Sequence, residues 1–109
     1  MRKLVLSVAT LALSVASLAA QAQPLTQSSR SICTWGAGIA ADAQESKLAG
    51  ITLYGARKKL QVRKFKQPWM RMTAMGITEQ TYKSTSLLKP AAIKQTYYEQ
   101  CVKHEVARR

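Results

Sequence analysis

From Ser31 onward the apolar positions of this chain recur at three- and four-residue spacing. Ile32, Trp35 or Gly36, Ile39, Ala40 and Ala43 follow one another in this way, the period of one face of an α-helix. Ser29 or Ser31 is placed to cap its start. Gly50 is placed to take a left-handed position just past its end near Leu48. Leu53, Ala56 and Leu60 make the stripe of a second helix, starting at Thr52 and running through "KKLQVRKFK" until Pro68, whose ring interrupts a helix. A third helix is expected over Trp69–Lys83, with Trp69, Met72 and Met75 or Gly76 facing inward. "STSLLK", residues 84–89, reads as a linker, and Pro90 suits the first turn of a fourth helix. Along that helix Ile93, Tyr97, Cys101 and Glu105 or His104 come at close to one turn. Leu60 and Val62 alternate briefly as a strand would, but the alternation slips at Lys64 and no matching run lies nearby. The pattern therefore predicts an all-α domain of four helices.

The first residues obey a different grammar. Arg2 and Lys3 precede a run from Leu4 to Ala20 without a charge, and Ala20-Gln21-Ala22 then offers small residues at a cleavage point. Residues 1–22 are thus expected to be a cleavable secretory signal peptide. The run is short for a spanning helix and ends directly on the small-residue site. No transmembrane segment is expected after cleavage. Cys33 follows Arg30-Ser31-Ile32, which does not suit lipoprotein processing. Residues 23–30, "QPLTQSSR", are polar and aperiodic and are expected to form a flexible tail, with the helical domain spanning 31–109.

A periplasmic or secreted location changes how the cysteines are read. Removing 22 of 109 residues leaves 87, a size at which a hydrophobic core alone is marginal. The only two cysteines, Cys33 and Cys101, lie near the two ends of that remainder, and an exported chain with two has one possible pairing. In the loop-entropy description the Cys33–Cys101 bridge contributes roughly 4 kcal/mol, comparable with the whole net stability of a small domain. It is expected to tie the first helix to the last.

An early Cys in an Ala/Gly-rich helix, a Gly turn, a second helix, then a Tyr before a Pro-started helix carrying the last Cys form one order of features. Here they are Cys33, Gly50, Tyr82, Pro90 and Cys101. In this the chain resembles the small uncharacterised exported helical proteins of Gram-negative bacteria that carry one disulfide. The resemblance covers about residues 31–104 and implies an all-α exported domain with no known activity. In size and single disulfide the chain is also similar to the acid-stress periplasmic chaperones.

Charge narrows the partners. The chain has 17 Lys and Arg against 5 Asp and Glu, a net charge of +12. Cleavage removes Arg2 and Lys3 and no acid, leaving +10. The densest cluster is Arg57, Lys58, Lys59, Arg63, Lys64 and Lys66, uninterrupted by any acid. On a continuous helix these do not gather on one side: Arg57 and Lys64 share a flank, Lys59, Arg63 and Lys66 a second, and Lys58 a third. Tyr54, Val62 and Phe65 add a second apolar stripe to that of Leu53, Ala56 and Leu60. Most charge runs are solvated faces. Beyond that reading, Arg57, Lys59, Arg63, Lys64 and Lys66 are the candidates for meeting an acidic protein partner or an anionic envelope surface. Nucleic acid is not an expected partner, since it belongs to another compartment.

Catalytic chemistry finds little support. Glu79, Glu99 and Glu105 each precede Lys83, Lys103 and Arg109 by four residues, the order that supports a helix surface. Asp42 and Glu45 are placed to face the basic second helix. The lone His104 has no spaced partners for acid–base work. Cys33, Cys101 and His104 fall short of the four ligands of structural zinc, and there is no Cys-x-x-Cys pair. Met70, Met72 and Met75 beside Trp69 offer thioethers of the kind that select Cu(I), but their spacing equally suits a core. No enzyme activity, metal or cofactor is expected. The favoured function is binding, without catalysis, through the basic helix. The alternatives are a periplasmic chaperone or stress protein and, less favoured, a Cu(I)-binding protein.

Overall fold

The computed structural model describes residues 25–108. The signal-peptide reading of residues 1–22 and the Glu105–Arg109 pair lie outside the described residues. Four helices, α1 (Gln27–Leu48), α2 (Leu53–Val62), α3 (Pro68–Lys83) and α4 (Pro90–Ala107), make up the described chain, with no strand among those residues. The all-α expectation holds, and so does the bridge: Cys33 and Cys101 are disulfide-bonded, with Cα atoms 5.6 Å apart.

α1 is the centre of the arrangement. It packs against each of the other three helices, α3 also packs against α2, and α4 packs on α1 alone. Its start corrects the expected flexible tail, because residues 27–30 are already helical. Thr26, rather than Ser29 or Ser31, is the N-cap, and its Oγ1 accepts from the Ser29 amide at 3.1 Å, which satisfies one of the amides a helix start leaves unpaired. The other end is as anticipated. Gly50 takes φ +85°, the Gly50 amide donates to the Lys47 carbonyl (3.1 Å) and the Ile51 amide to the Ser46 carbonyl (3.0 Å). This pair of bonds is the Schellman closure, which needs a residue free to be left-handed.

α2 is capped by Thr52, whose Oγ1 accepts from the Gly55 amide at 3.1 Å. It stops at Val62, five residues short of Gln67. The expectation that helix two carries the whole basic stretch is thereby corrected: Arg63 is its extended C-cap, and Lys64 and Lys66 lie in the connection to α3. Two contacts hold that connection open. Arg71 reaches back from α3 to donate to the carbonyls of Arg63 (2.9 Å) and, at longer range, Leu60 (3.5 Å), and Phe65 sits edge-on to Trp35 of α1, with centroids 6.5 Å apart. Pro68 adds a local restraint, since the residue before a proline avoids the helical region; Gln67 is extended.

The inward face of α3 also differs from expectation. Ala74, Ile77 and Thr78 are buried, and Met75 packs on the core, but Met72 is 78% exposed and Trp69 about half exposed. Trp69 instead leans on Trp35, with centroids 6.0 Å apart. α3 lies between α1 and α2, and such a crowded position favours small Ala74 over a long methionine. The buried apolar set has this character: Cys33, Ala37, Ile39, Ala40, Ala43, Ala56, Leu60, Ala74 and Ile77. Few large side chains are present, so close approach of backbones replaces bulk. Ile32, expected in the first stripe, is exposed.

α4 runs antiparallel to α1. The register is marked by Ser29 Oγ donating to Glu105 (3.1 Å), by the Cys33–Cys101 bridge, and by Tyr97 lying over Gly36. A Cβ at Gly36 would come 2.8 Å from Cε1 and 2.9 Å from the hydroxyl of Tyr97. No residue of α4 is fully buried. Ile93 and Tyr97 are the side chains it lends to the core, and the bridge pins it to α1, the one helix it packs on. The linker 84–89 is fixed from α1. Gln44 Nε2 donates to the carbonyls of Ser86 (3.1 Å) and Leu88 (2.8 Å), while Lys47 Nζ donates to those of Thr81, Ser84 and Ser86 at 3.0–3.1 Å.

Candidate anion-binding surface

The basic residues divide into three groups by their surroundings. Arg57 is half-exposed and paired with Glu79 of α3. Glu79 therefore bonds across helices instead of along its own to Lys83, and Arg57 spends its charge inside the fold. Lys59 and Arg63 line a groove of ≈ 250 Å³ between α1 and α2, whose lining also includes Asp42, Glu45 and Thr78. The expected facing of these acids toward the basic helix is met. None of them closes an ion pair: among the described residues the ion pairs are Arg57–Glu79 and Arg108–Glu105. Glu99 and Lys103 make none.

Lys64 and Lys66 form the third group, exposed on the non-helical connection between α2 and α3. Phe65 turns toward Trp35, while its neighbours Lys64 and Lys66 are exposed. Phe65 is itself flanked by two guanidinium groups, Arg63 at 5.2 Å and Arg71 at 5.5 Å from the ring centroid, contacts that favour a cation over an aromatic face. Arg71 thus fixes the shape of the segment through its carbonyls and its ring together.

Lys58 and Arg71 adjoin the same surface and lie outside the candidate set. Lys58 Nζ lies 5.3 Å over the Tyr54 ring, and both side chains stand on the outer face of α2 with Val62, at i, i+4 and i+8. Tyr54 is 68% and Val62 82% exposed. The spacing of 54, 58 and 62 is readable in the sequence. The return of Arg71 from the next helix leaves no local signal. The surface therefore combines unpaired cations with uncovered apolar groups.

The other candidate chemistries are not assembled. Met70 and Met72 lie on opposite sides of α3, and Met75 turns to the core, so the three thioethers do not converge. Both cysteine sulfurs are taken by the bridge, and His104 is exposed on α4. Among the described residues no group of three or more His, Cys, Asp or Glu side chains is gathered as metal ligands, and no helix is long and apolar enough to cross a membrane. No protein-family model matches the chain, and no curated protein or solved structure shows significant similarity to it.

Proposed function

We propose that the protein is an exported, non-enzymatic binding domain that docks on an anionic envelope surface through the segment from Tyr54 to Lys66. The observation that carries this reading is the coexistence, on one stretch, of Lys58, Lys59, Arg63, Lys64 and Lys66 without an ion-pair partner among the described residues and of exposed Tyr54 and Val62. Each basic side chain near an anionic lipid surface contributes about 1 kcal/mol, and a tyrosine places an apolar ring and a polar tip at such a boundary. Arg57 leaves the set of binding residues because Glu79 already neutralises it. The uncharged N-terminal run and the disulfide support the exported location.

Co-sedimentation of residues 23–109 with vesicles of phosphatidylglycerol and phosphatidylethanolamine tests the reading. Binding is expected at low salt, is expected to weaken as screening shortens toward roughly 8 Å near physiological ionic strength, and is expected to be absent with phosphatidylcholine alone. Equal binding to both vesicle types would refute the proposal. Failure on vesicles combined with salt-sensitive capture of an acidic protein from envelope extract would transfer the same charges to a protein partner.

A further inference from the structure

A second concave feature lies away from the basic segment and has the opposite character. α3 and α4 both pack on α1 but not on each other, and between them runs a groove of ≈ 400 Å³. Its floor is Ala40 and Gln44 of α1, one wall carries Gln80 of α3, and the other carries Ile93, Thr96 and Tyr97 of α4. Among the described residues no Lys, Arg, Asp or Glu lines it, and His104 of α4 is its one imidazole, although the chain bears 17 basic residues. The volume is within the range of small-ligand sites, which are mostly apolar with a few placed polar groups.

The floor holds an unanswered polar atom. Gln44 is fully buried. Its Nε2 is satisfied by the Ser86 and Leu88 carbonyls, which fixes the amide's orientation, and Oε1 is left without a donor. Buried polar groups normally find a partner, and leaving one unmade is costly. Gln44 Oε1 is itself covered, so a donor in the groove reaches it only when α3 and α4 part above it, and because these two helices do not pack on each other that parting breaks no helix–helix interface.

From these observations we infer that the groove between α3 and α4 binds a neutral small molecule with an apolar body and one N–H or O–H donor directed to Gln44 Oε1. Neutrality follows from a lining that holds no Lys, Arg, Asp or Glu and only His104 as an ionisable nitrogen, the apolar body from Ala40, Ile93 and Tyr97, and the donor from the acceptor that lacks one. This site is independent of the anionic-surface reading and stands if that reading fails.

N-phenyl-1-naphthylamine is a suitable probe, being neutral, aromatic and equipped with a single N–H. Its fluorescence titrated against residues 23–109 is expected to rise saturably at one site per chain. Thr96→Trp, at an exposed position on one wall, fills the groove without entering the core and is expected to weaken binding at least tenfold. Gln80→Trp does the same from the opposite wall, so the prediction survives if either variant misfolds by circular dichroism. The N-methyl derivative of the probe, which has no N–H, is expected to bind about fivefold more weakly. Absence of saturable binding, undiminished binding in the folded tryptophan variants, or equal affinity for the two amines would each overturn the assignment.

Discussion

At the scale of single residues, the contact between Gly36 and Tyr97 decides how closely α4 approaches α1. A methyl group at Gly36 would fall 2.8–2.9 Å from the edge of the Tyr97 ring, and that ring is already packed on the core. Gly36→Ala gains about 1 kcal/mol of helix propensity but overpacks, at about 1–3 kcal/mol. The net expectation is destabilisation in the wild-type background and stabilisation in a Tyr97→Ala background. Urea denaturation of the four proteins of that cycle reads the sign change directly. Two tyrosines add a dependence on pH. Burial pushes the phenols of Tyr82 and Tyr97 above the usual value of 10. A raised folded-state value means that the unfolded chain releases its proton first. The contribution is therefore complete below pH 10 and is lost as pH climbs from there through the folded-state value. Tyr82 also donates to the Ile51 carbonyl at 2.8 Å. Tyr82→Phe is expected to cost about 1 kcal/mol at neutral pH and to flatten the alkaline decline seen in thermal melts.

At the scale of elements, one lysine has a structural task that the abundance of basic residues conceals. Lys47 Nζ sits at the C-terminal end of α3 and meets the Thr81, Ser84 and Ser86 carbonyls, where the helix leaves carbonyls unpaired and its dipole favours a cation. Lys47→Met keeps the stem and removes the three bonds, at an expected cost of about 2 kcal/mol, measured by denaturant midpoint, with hydrogen exchange accelerating first in residues 81–89. The helices themselves were legible wherever punctuation is local. Gly50, Pro68 and Pro90 each fall where the backbone needs them. Legibility ended where tertiary contacts decide. α2 stops at Val62 because Arg71 and Trp35 capture the segment beyond it, and nothing within residues 57–66 announces either. The face of α3 departs from its sequence pattern because methionine is the more apolar side chain, whereas the narrow space beside α1 and α2 selects Ala74. The first turn of α1 was missed because its polar residues carry no apolar period, and Thr26 does the capping.

At the scale of the whole molecule, the Cys33–Cys101 bridge joins a core-forming helix to one with no fully buried residue. The pairing was legible from a cysteine count of two. The dependence of α4 on it was not, since that follows from α4 packing on α1 alone. Cys101→Ser is expected to lower the melting temperature by more than about 10 °C, because roughly 4 kcal/mol of loop closure is large for a chain of this size. Differential scanning calorimetry of the oxidised wild type and the variant checks this. The surface is equally divided between legible and hidden parts. That residues 57–66 are basic is plain in the sequence. That Arg57 pairs with Glu79, while Lys64 and Lys66 make no ion pair among the described residues and lie on a non-helical connection, required the packing of α3 against α2.

Lys64 and Lys66 are therefore the positions at which docking on an anionic surface separates most cleanly from folding. Lys64→Glu with Lys66→Glu reverses two exposed charges that no acid partners and leaves Asp42 and Glu45 undisturbed. The deciding measurement is the affinity of this double variant and of wild type for phosphatidylglycerol vesicles at physiological ionic strength. Loss of the two cationic contacts alone predicts about thirtyfold weaker binding, with helical content and melting temperature unchanged. Equal affinity of a folded double variant would contradict a docking role for the segment and leave its charge as a solvated surface.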